Sequence, residues 1–439
     1  MRIPQLTNKL LHNPLIGGTL LLTLTGLLSK VIGFFFKIFL SRTIGAEGVG
    51  IYQLIFPVYA MGIAFSASGI QTAISRNVAA ASGKPGSAHP IQYLYAGLFL
   101  SLILSLLAEL PIYFFSDELA LTILDEPRCS SLLRIVSYAL PFACVHSCVN
   151  GYYYGQKKTA IPAVTQLAEQ CVRVFSAYIL VEICLEKQLK ITPALAVWGI
   201  VCGEIASMLI SLTCLRLQKL RRGFCHALRS VAVFAVPLTA NHVTYHAFSS
   251  VEAILIPLQL KAFGYSNSDA LSVFGILTGM AMPMILFPSA LTNSVSVLLM
   301  PTISEAVAKK DLALVRKATQ KTIIYCLLLG FACTGFFLLT GGFIGQYIFH
   351  NTLAGNFIRI LGWICPFLYL ATTLSSILHG LGKPATAFYI NLGGCTLRIL
   401  CILLLIPSFG IRSYLYSMLA SQLLVAGLCI KFSTRPDFS

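Results

Sequence analysis

Charge is what this chain has least of. Only 15 of its 439 residues are acidic and 31 are Lys or Arg, so charged side chains make up 10% of the sequence, against roughly a quarter in soluble globular proteins. Hydrophobic residues make up 57%, and mean hydropathy is +0.82. That balance excludes an ordinary soluble protein. No connector between the apolar runs is long enough to fold as a soluble domain. Catalytic signatures are missing too: there is no HExxH, no GxSxG and no aspartate-rich diphosphate motif. The Gly83-Lys84-Pro85-Gly86 turn lacks the upstream glycine and the following Ser/Thr of a phosphate loop, and no strand precedes it. An ATPase module is therefore excluded, no cofactor is implied, and energy has to come from an ion gradient, the membrane potential or downhill disposal of a substrate. The 14 cysteines sit mostly inside apolar runs, where a thiol behaves as a small hydrophobe, and do not read as a disulfide scaffold. Cys144, His146 and Cys148 are spaced by two, which puts neighbours on different helix faces, so no metal is assigned to them.

What is present is a series of apolar runs. The first, Leu15 to Leu40, is interrupted by Lys30 and Lys37; the segment SRTIGAEGVG then leads to a second run from Ile51 to near Arg76. About 20 apolar residues suffice to cross a bilayer as a helix. Twelve spans follow, over 15–40, 51–79, 91–114, 133–154, 161–184, 193–215, 230–258, 271–300, 318–340, 357–379, 385–406 and 411–431. No small-residue cleavage site follows the first run, which is read as a retained first helix. The formal charge of +16 does not point to nucleic acid, because the basic residues lie in short segments between the runs. They concentrate on one side, in Lys157, Lys158 and the connector carrying Arg216, Lys219, Arg221, Arg222 and Arg229. By the positive-inside rule this puts both termini in the cytoplasm of a multi-pass cell-membrane protein. The connector over 216–229 also suits contact with anionic headgroups of membrane lipids. It divides the chain into 1–215 and 230–439.

The two parts resemble each other. Pro141-Phe142 is matched by Pro366-Phe367, Gly155 by Gly380, Lys158 by Lys383, Ala160 by Ala385 and Arg173 by Arg398, each at a constant offset, with Pro57 and Pro283 one residue out of step. Six spans per half is an even number, so the halves share one orientation: an all-α polytopic membrane protein of two parallel six-helix bundles, one of the known transporter designs.

Ionisable side chains at membrane depth are expensive and mark function or pairing. Lys30 lies in mid-run and is expected to face a wet cavity; Lys37, close to Arg42, is as well explained by snorkelling. The seventh span carries Asn241, His242, Thr244, Tyr245, His246, Ser249, Ser250 and Glu252, a polar stripe that polar glue between helices explains only in part. Lys30 and Glu252 are expected to pair, each lying in the opening helix of its half. Glu169 and Arg173, four apart on one helix face, read as a structural ion pair. Glu109, Glu204 and Arg398 are further intramembrane candidates, the last without a partner nearby in sequence.

Gly17 to Ala79 resembles the opening of the stage V sporulation protein B group, in the polysaccharide-transporter branch of the superfamily that also holds the lipid II flippase and the multidrug and toxin extruders. Asn150 to Lys158 and its repeat His379 to Pro384 resemble the family's turn after the fourth helix of each half, and Asp269 to Pro283 with Pro301 to Glu305 its eighth helix and exit. The resemblance implies a V-shaped, alternating-access transporter, monomeric, that moves a lipid-linked saccharide or peptidoglycan precursor of the undecaprenyl-diphosphate type outward. It places Lys30, Lys37 and Arg42 where family members meet a diphosphate, and Glu252, with Asn241 and His246 on the same helix, at a substrate or coupling position. Two departures stand out: twelve spans where these relatives usually have fourteen, and two histidines in the seventh. They keep a coupling cation and the alternative of a cation-coupled multidrug or metabolite exporter open, as well as a non-transporting membrane enzyme or scaffold.

Overall fold

The computed structural model describes residues 14–81, 89–215, 223–309 and 311–434. The Gly83 to Gly86 turn, both chain ends and residues 216–222 of the basic connector lie outside the described residues. With no water in a bilayer core, a spanning backbone has to satisfy its own N–H and C=O groups, and the long apolar segments among the described residues do so as helices joined by short connectors. In order they are α1 (Pro14–Thr43), α2 (Gly45–Ala81, with a π-helical turn at Ala64–Ser68), α3 (Pro90–Phe114), α4 (Cys129–Gly155), α5 (Ala160–Glu186), α6 (Ala194–Cys214) and α7 (Phe224–Phe263). Then follow α8 (Asn267–Leu286), α9 (Ser289–Ala308), α10 (Ala313–Ile348), α11 (Thr352–Gly362), α12 (Cys365–Gly380), α13 (Pro384–Phe409) and α14 (Ile411–Thr434).

Among the described residues nine helices are long and apolar enough to cross a membrane, or ten if α11 and α12, bent by 58° at their junction, count as one broken span. The other two of the twelve expected spans are α5 and α7, of 27 and 40 residues. Both have the length, and both are made less apolar by the ionisable residues described below.

The helices form two compact units. The first comprises the chain up to Phe36 together with Leu54–Ser250; the second comprises Lys37–Gln53 and Val251–Ser439. The division falls inside α7 and takes a piece of α1 and α2 into the second unit. Unit 1 packs Ile70, Ile74 and Val78 of α2 against Leu94 of α3 and Cys148, Val149 and Tyr152 of α4, with Val231 of α7. Unit 2 packs Ile303 of α9 with Leu370, Leu374 and Leu378 of α12, Ile390 of α13, and Val425 and Cys429 of α14.

The repeat is visible in how two helices end. At the end of α4, Lys158 N–H donates to the Tyr153 carbonyl at 2.9 Å and Gln156 N–H to that of Tyr152 at 3.1 Å, with Lys157 at φ 60°. At the end of α12, Lys383 N–H donates to the Leu378 carbonyl at 2.9 Å and Leu381 N–H to that of Ile377 at 2.8 Å, with Gly382 at φ 74°. Both are left-handed caps that satisfy otherwise orphaned helix carbonyls.

Candidate functional site

Among the described residues each unit holds a cluster of ionisable side chains contributed by several helices, and in each a glycine lets two helices approach. In unit 1, α6 crosses α5 at Gly203, where an added Cβ would come within 2.8 Å of the Glu169 carbonyl and 3.2 Å of the Arg173 Cβ. Such close approach of small residues is the usual way helices pack in lipid. It sets Glu204, the next residue of α6, against the polar face of α5. There Arg173 Nη2 donates to Glu169 Oε1 at 2.5 Å and lies 3.8 Å from Glu204 Oε1. From α2, Tyr59 Oη donates to Glu204 Oε1 at 3.0 Å. From α4, His146 Nδ1 lies 3.0 Å from Glu204 Oε2. Glu204 is 5% exposed. The glutamate and arginine four apart on α5 thus form one edge of a five-residue cluster rather than a self-contained pair.

In unit 2, α13 approaches α14 at Gly394, where a Cβ would meet Val425 Cγ2 at 2.6 Å and Ser421 Oγ at 3.2 Å. One turn on, Arg398 reaches Glu252 of α7 through Nε at 2.6 Å and Nη2 at 3.0 Å, a two-pronged guanidinium–carboxylate contact. Tyr414 of α14 donates to Glu252 Oε1 at 2.8 Å, and Arg398 Nη1 donates to Ser421 Oγ at 3.1 Å. The Glu252 carboxylate is thus taken up within its own unit by Arg398 and Tyr414, a guanidinium fork and a hydroxyl from two neighbouring helices.

The first helix contrasts with both clusters. Lys30 is exposed and Lys37 half-buried, seven residues apart and so two turns along one face of α1. Neither has a hydrogen-bonded or ion-paired partner among the described residues. Arg42 is committed differently, its Nε donating to the Ile348 carbonyl at 3.0 Å and Nη2 to the Tyr347 carbonyl at 3.1 Å at the end of α10. On α7, Asn241 is exposed and His246 half-buried, with the His246 ring 5.8 Å from that of Tyr245 in an edge-on contact. These two are not brought to Glu252's cluster.

Cys144, His146 and Cys148 do not converge. Cys144 Sγ donates to Ser66 Oγ at 3.1 Å while His146 turns to Glu204. The ligand atoms of His146, Glu169 and Glu204 lie within 4.8 Å of one another. A guanidinium already occupies this group, which opposes a divalent cation by charge. Sequence reasoning overlooked Tyr59, Tyr414 and the role of His146. A tyrosine in an apolar helix carries no signal of its own, and the histidine's partner is on another helix.

The profile of the family described as "Polysaccharide biosynthesis protein" matches residues 15–307, and that described as "MatE" matches residues 258–404. The stage V sporulation protein B of Bacillus subtilis (strain 168) is 26% identical over 420 residues, covering 93% of this chain and 81% of that protein. Among solved structures, the lipid II flippase MurJ in an inward closed conformation overlays with a TM-score of 0.71 at 15% identity, over 94% of this chain and 87% of that one. An inward-facing multidrug resistance MATE family transporter of the MOP superfamily overlays with a TM-score of 0.70 at 14% identity, over 93% of each chain. At these identities the structural likeness establishes the fold.

Proposed function

This chain belongs to the polysaccharide biosynthesis protein family, and on that premise we propose that it is a twelve-span transporter, with both termini cytoplasmic, that carries a membrane-embedded substrate by alternating access. For the cargo, we read an anionic lipid-linked saccharide moved from the cytoplasmic to the outer leaflet. One observation carries this. The buried carboxylates Glu169, Glu204 and Glu252 all have cationic or hydroxyl partners within their own units, whereas Lys30 and Lys37 on α1 have none among the described residues. Uncommitted cations in a membrane helix favour a diphosphate headgroup and disfavour an organic cation.

A second reading, cation-coupled export of a drug or metabolite, has observations of its own. The MatE profile covers residues 258–404, and multidrug transporters share the fold over nearly the whole chain. The same protein in two assays separates them. Reconstituted vesicles are given a labelled undecaprenyl-diphosphate saccharide, and parallel vesicles a cationic dye. We expect flipping that Lys30→Met reduces at least tenfold while protein level and melting temperature hold, and Lys30→Arg to keep part of the activity. Dye export without lipid flipping by the parent protein gives the function to the second reading. Full flipping by Lys30→Met removes this lysine from the mechanism.

A further inference from the structure

At the end of unit 2 where α13 turns into α14, the surface is hollow. A cavity of about 750 Å³ opens there between Phe263 of α7, Phe357 and Arg359 of α11, and Phe409 and Arg412 on either side of the turn. A smaller one of about 210 Å³ adjoins it, sharing Arg359, Ile360 and Tyr416, and runs on between Leu338 of α10, Trp363 of α11 and Leu415 and Leu419 of α14. Leu338 and Leu419 lie about 12–15 Å from their helix ends at the rise of an α-helix, so the groove follows the helices into the apolar layer. Glycines shape it. Gly410, at φ 67°, makes the turn, and a Cβ there would meet Phe263 Cε1 at 3.1 Å. A Cβ on Gly341 of α10 would come within 2.8 Å of Arg359 Cγ, and one on Gly342 would overlap its guanidinium. Packing against α10, not pairing, therefore positions Arg359. Neither Arg359 nor Arg412 has a hydrogen-bonded or ion-paired partner among the described residues. No carboxylate lines the larger cavity, whose other polar side chains are Asn356, Tyr265 and Tyr416. Asp269, the acidic residue that follows Tyr265 in the chain, is engaged by Ser266 Oγ at 2.6 Å.

The two arginines repeat one pattern. Arg359 and Trp363 on α11, and Arg412 and Tyr416 on α14, are each four apart, exposed and on one helix face, with the arginine nearer the helix start. Tryptophan and tyrosine at a membrane surface sit at headgroup level, and an arginine one turn closer to water sits where lipid phosphates lie. Snorkelling accounts for one such pair. It does not account for two guanidinia from separate helices lining one carboxylate-free cavity that continues as an apolar groove. We propose that unit 2 binds one anionic phospholipid of the phosphatidylglycerol type here. Arg359 and Arg412 take its phosphate, Asn356 and Tyr265 its headgroup hydroxyls, and the groove beside Trp363 one acyl chain. Charge complementarity selects this occupant. Guanidinium forks match phosphate oxygens, whereas an ethanolamine headgroup would add an ammonium beside two cations with no carboxylate to receive it. The site lies within unit 2 alone and does not depend on the cargo read above.

Trp363 and Trp198 are the chain's two tryptophans, so fluorescence can read the groove directly. The test uses full-length Trp198→Phe in phosphatidylcholine nanodiscs doped with phosphatidylglycerol or phosphatidylethanolamine carrying brominated acyl chains, which quench on contact. Trp363 should be quenched at about twentyfold lower mole fraction of phosphatidylglycerol, and Arg359→Gln and Arg412→Gln should each lower that preference about fivefold, the increment of one basic side chain near a lipid surface. The double variant should abolish it. In Trp363→Phe the remaining Trp198, on α6 of unit 1, should be quenched equally by both lipids. Lys30→Met should keep the preference, so that a failure of the cargo reading and a failure of this site are told apart. Equal quenching of Trp363 by the two lipids overturns the proposal, and so does a preference that survives in the double arginine variant. Displacement of the brominated lipid by equimolar undecaprenyl phosphate overturns it by giving the groove to a polyprenyl lipid, and relief of quenching by inorganic phosphate overturns it by giving the arginines to a free ion. If Trp198→Phe does not fold, native mass spectrometry of the wild-type chain decides: phosphatidylglycerol adducts that the double variant loses uphold the site, and their absence overturns it.

Discussion

Glu252→Gln replaces a charged partner with a neutral one of nearly the same shape, leaving Arg398 buried opposite an amide. The side chains of Arg398 and Glu252 are 15% and 11% exposed, so solvent relieves little of the loss. Breaking a buried ion pair from one side costs about 3–5 kcal/mol. The residual exposure, the retained Tyr414 hydroxyl and the Ser421 contact place Glu252→Gln near the lower end, at about 3 kcal/mol, or roughly a hundredfold in the folding equilibrium. Arg398→Met should cost a similar amount, because it leaves the carboxylate with Tyr414 alone. The double variant removes both charges, and since the pair's desolvation penalty disappears with them, its cost should be no greater than either single one, a coupling of about 3 kcal/mol or more. Equilibrium unfolding in mixed detergent micelles, followed by circular dichroism, measures all three. The exposed Glu305–Lys309 pair, 2.6 Å apart with both side chains about two-thirds exposed, supplies the control: Glu305→Gln should be silent in the same assay. Additivity of the Glu252 and Arg398 losses within about 0.5 kcal/mol would refute the pairing as an energetic unit.

Two further outcomes follow from the helix ends and from the charge pattern. Lys157 holds a left-handed φ of 60° with a side chain, whereas Gly382 at φ 74° has none. Lys157→Gly should therefore stabilise unit 1, and Gly382→Ala destabilise unit 2, each by up to about 1 kcal/mol in thermal unfolding; effects of the opposite sign would contradict the cap assignment. In a cysteine-free background, single cysteines at Lys158 and Lys383 should be protected from an impermeant thiol reagent in intact cells and labelled after permeabilisation. Labelling of either from outside would break the twelve-span topology with cytoplasmic termini.

The fold class was legible because a bilayer imposes a composition and a length on every crossing, and both survive in sequence without any knowledge of contacts. Local pairs were legible for a similar reason. Glu169 and Arg173 lie four apart, and helical geometry alone brings them together at 2.5 Å. What sequence could not show were partners held on other helices. Arg398 had no neighbour of opposite charge near it, because its carboxylate is 146 residues away; nothing in the spacing of either residue encodes that meeting. The same holds for His146, whose spacing from two cysteines drew attention to its own helix while its contact lay on α6. Opposite charges at similar depth are a necessary condition for a pair, not a sufficient one, so depth alone could not single out Arg398 as a partner of Glu252. The cut between Ser250 and Val251 lies inside the polar stripe of α7, which reads as a cavity-facing side and not as a boundary because the helix runs on unbroken for 40 residues.

The contact of Arg42 with the carbonyls of Tyr347 and Ile348 has a consequence on the ribosome. Lys37–Gln53 belongs to unit 2 but is synthesised before Leu54–Ser250 of unit 1, and the partners of Arg42 emerge 306 residues after it. At translation rates of about 5–20 residues per second, that is a wait on the order of 15–60 s. During that interval a nascent chain can close unit 1 from Leu54 onward while the early fragment of unit 2 stays without its partners in the lipid. Assembly of the second unit is thus tied to near-completion of translation, and any nascent chain stalled before Ile348 leaves that fragment and its guanidinium open to other binding.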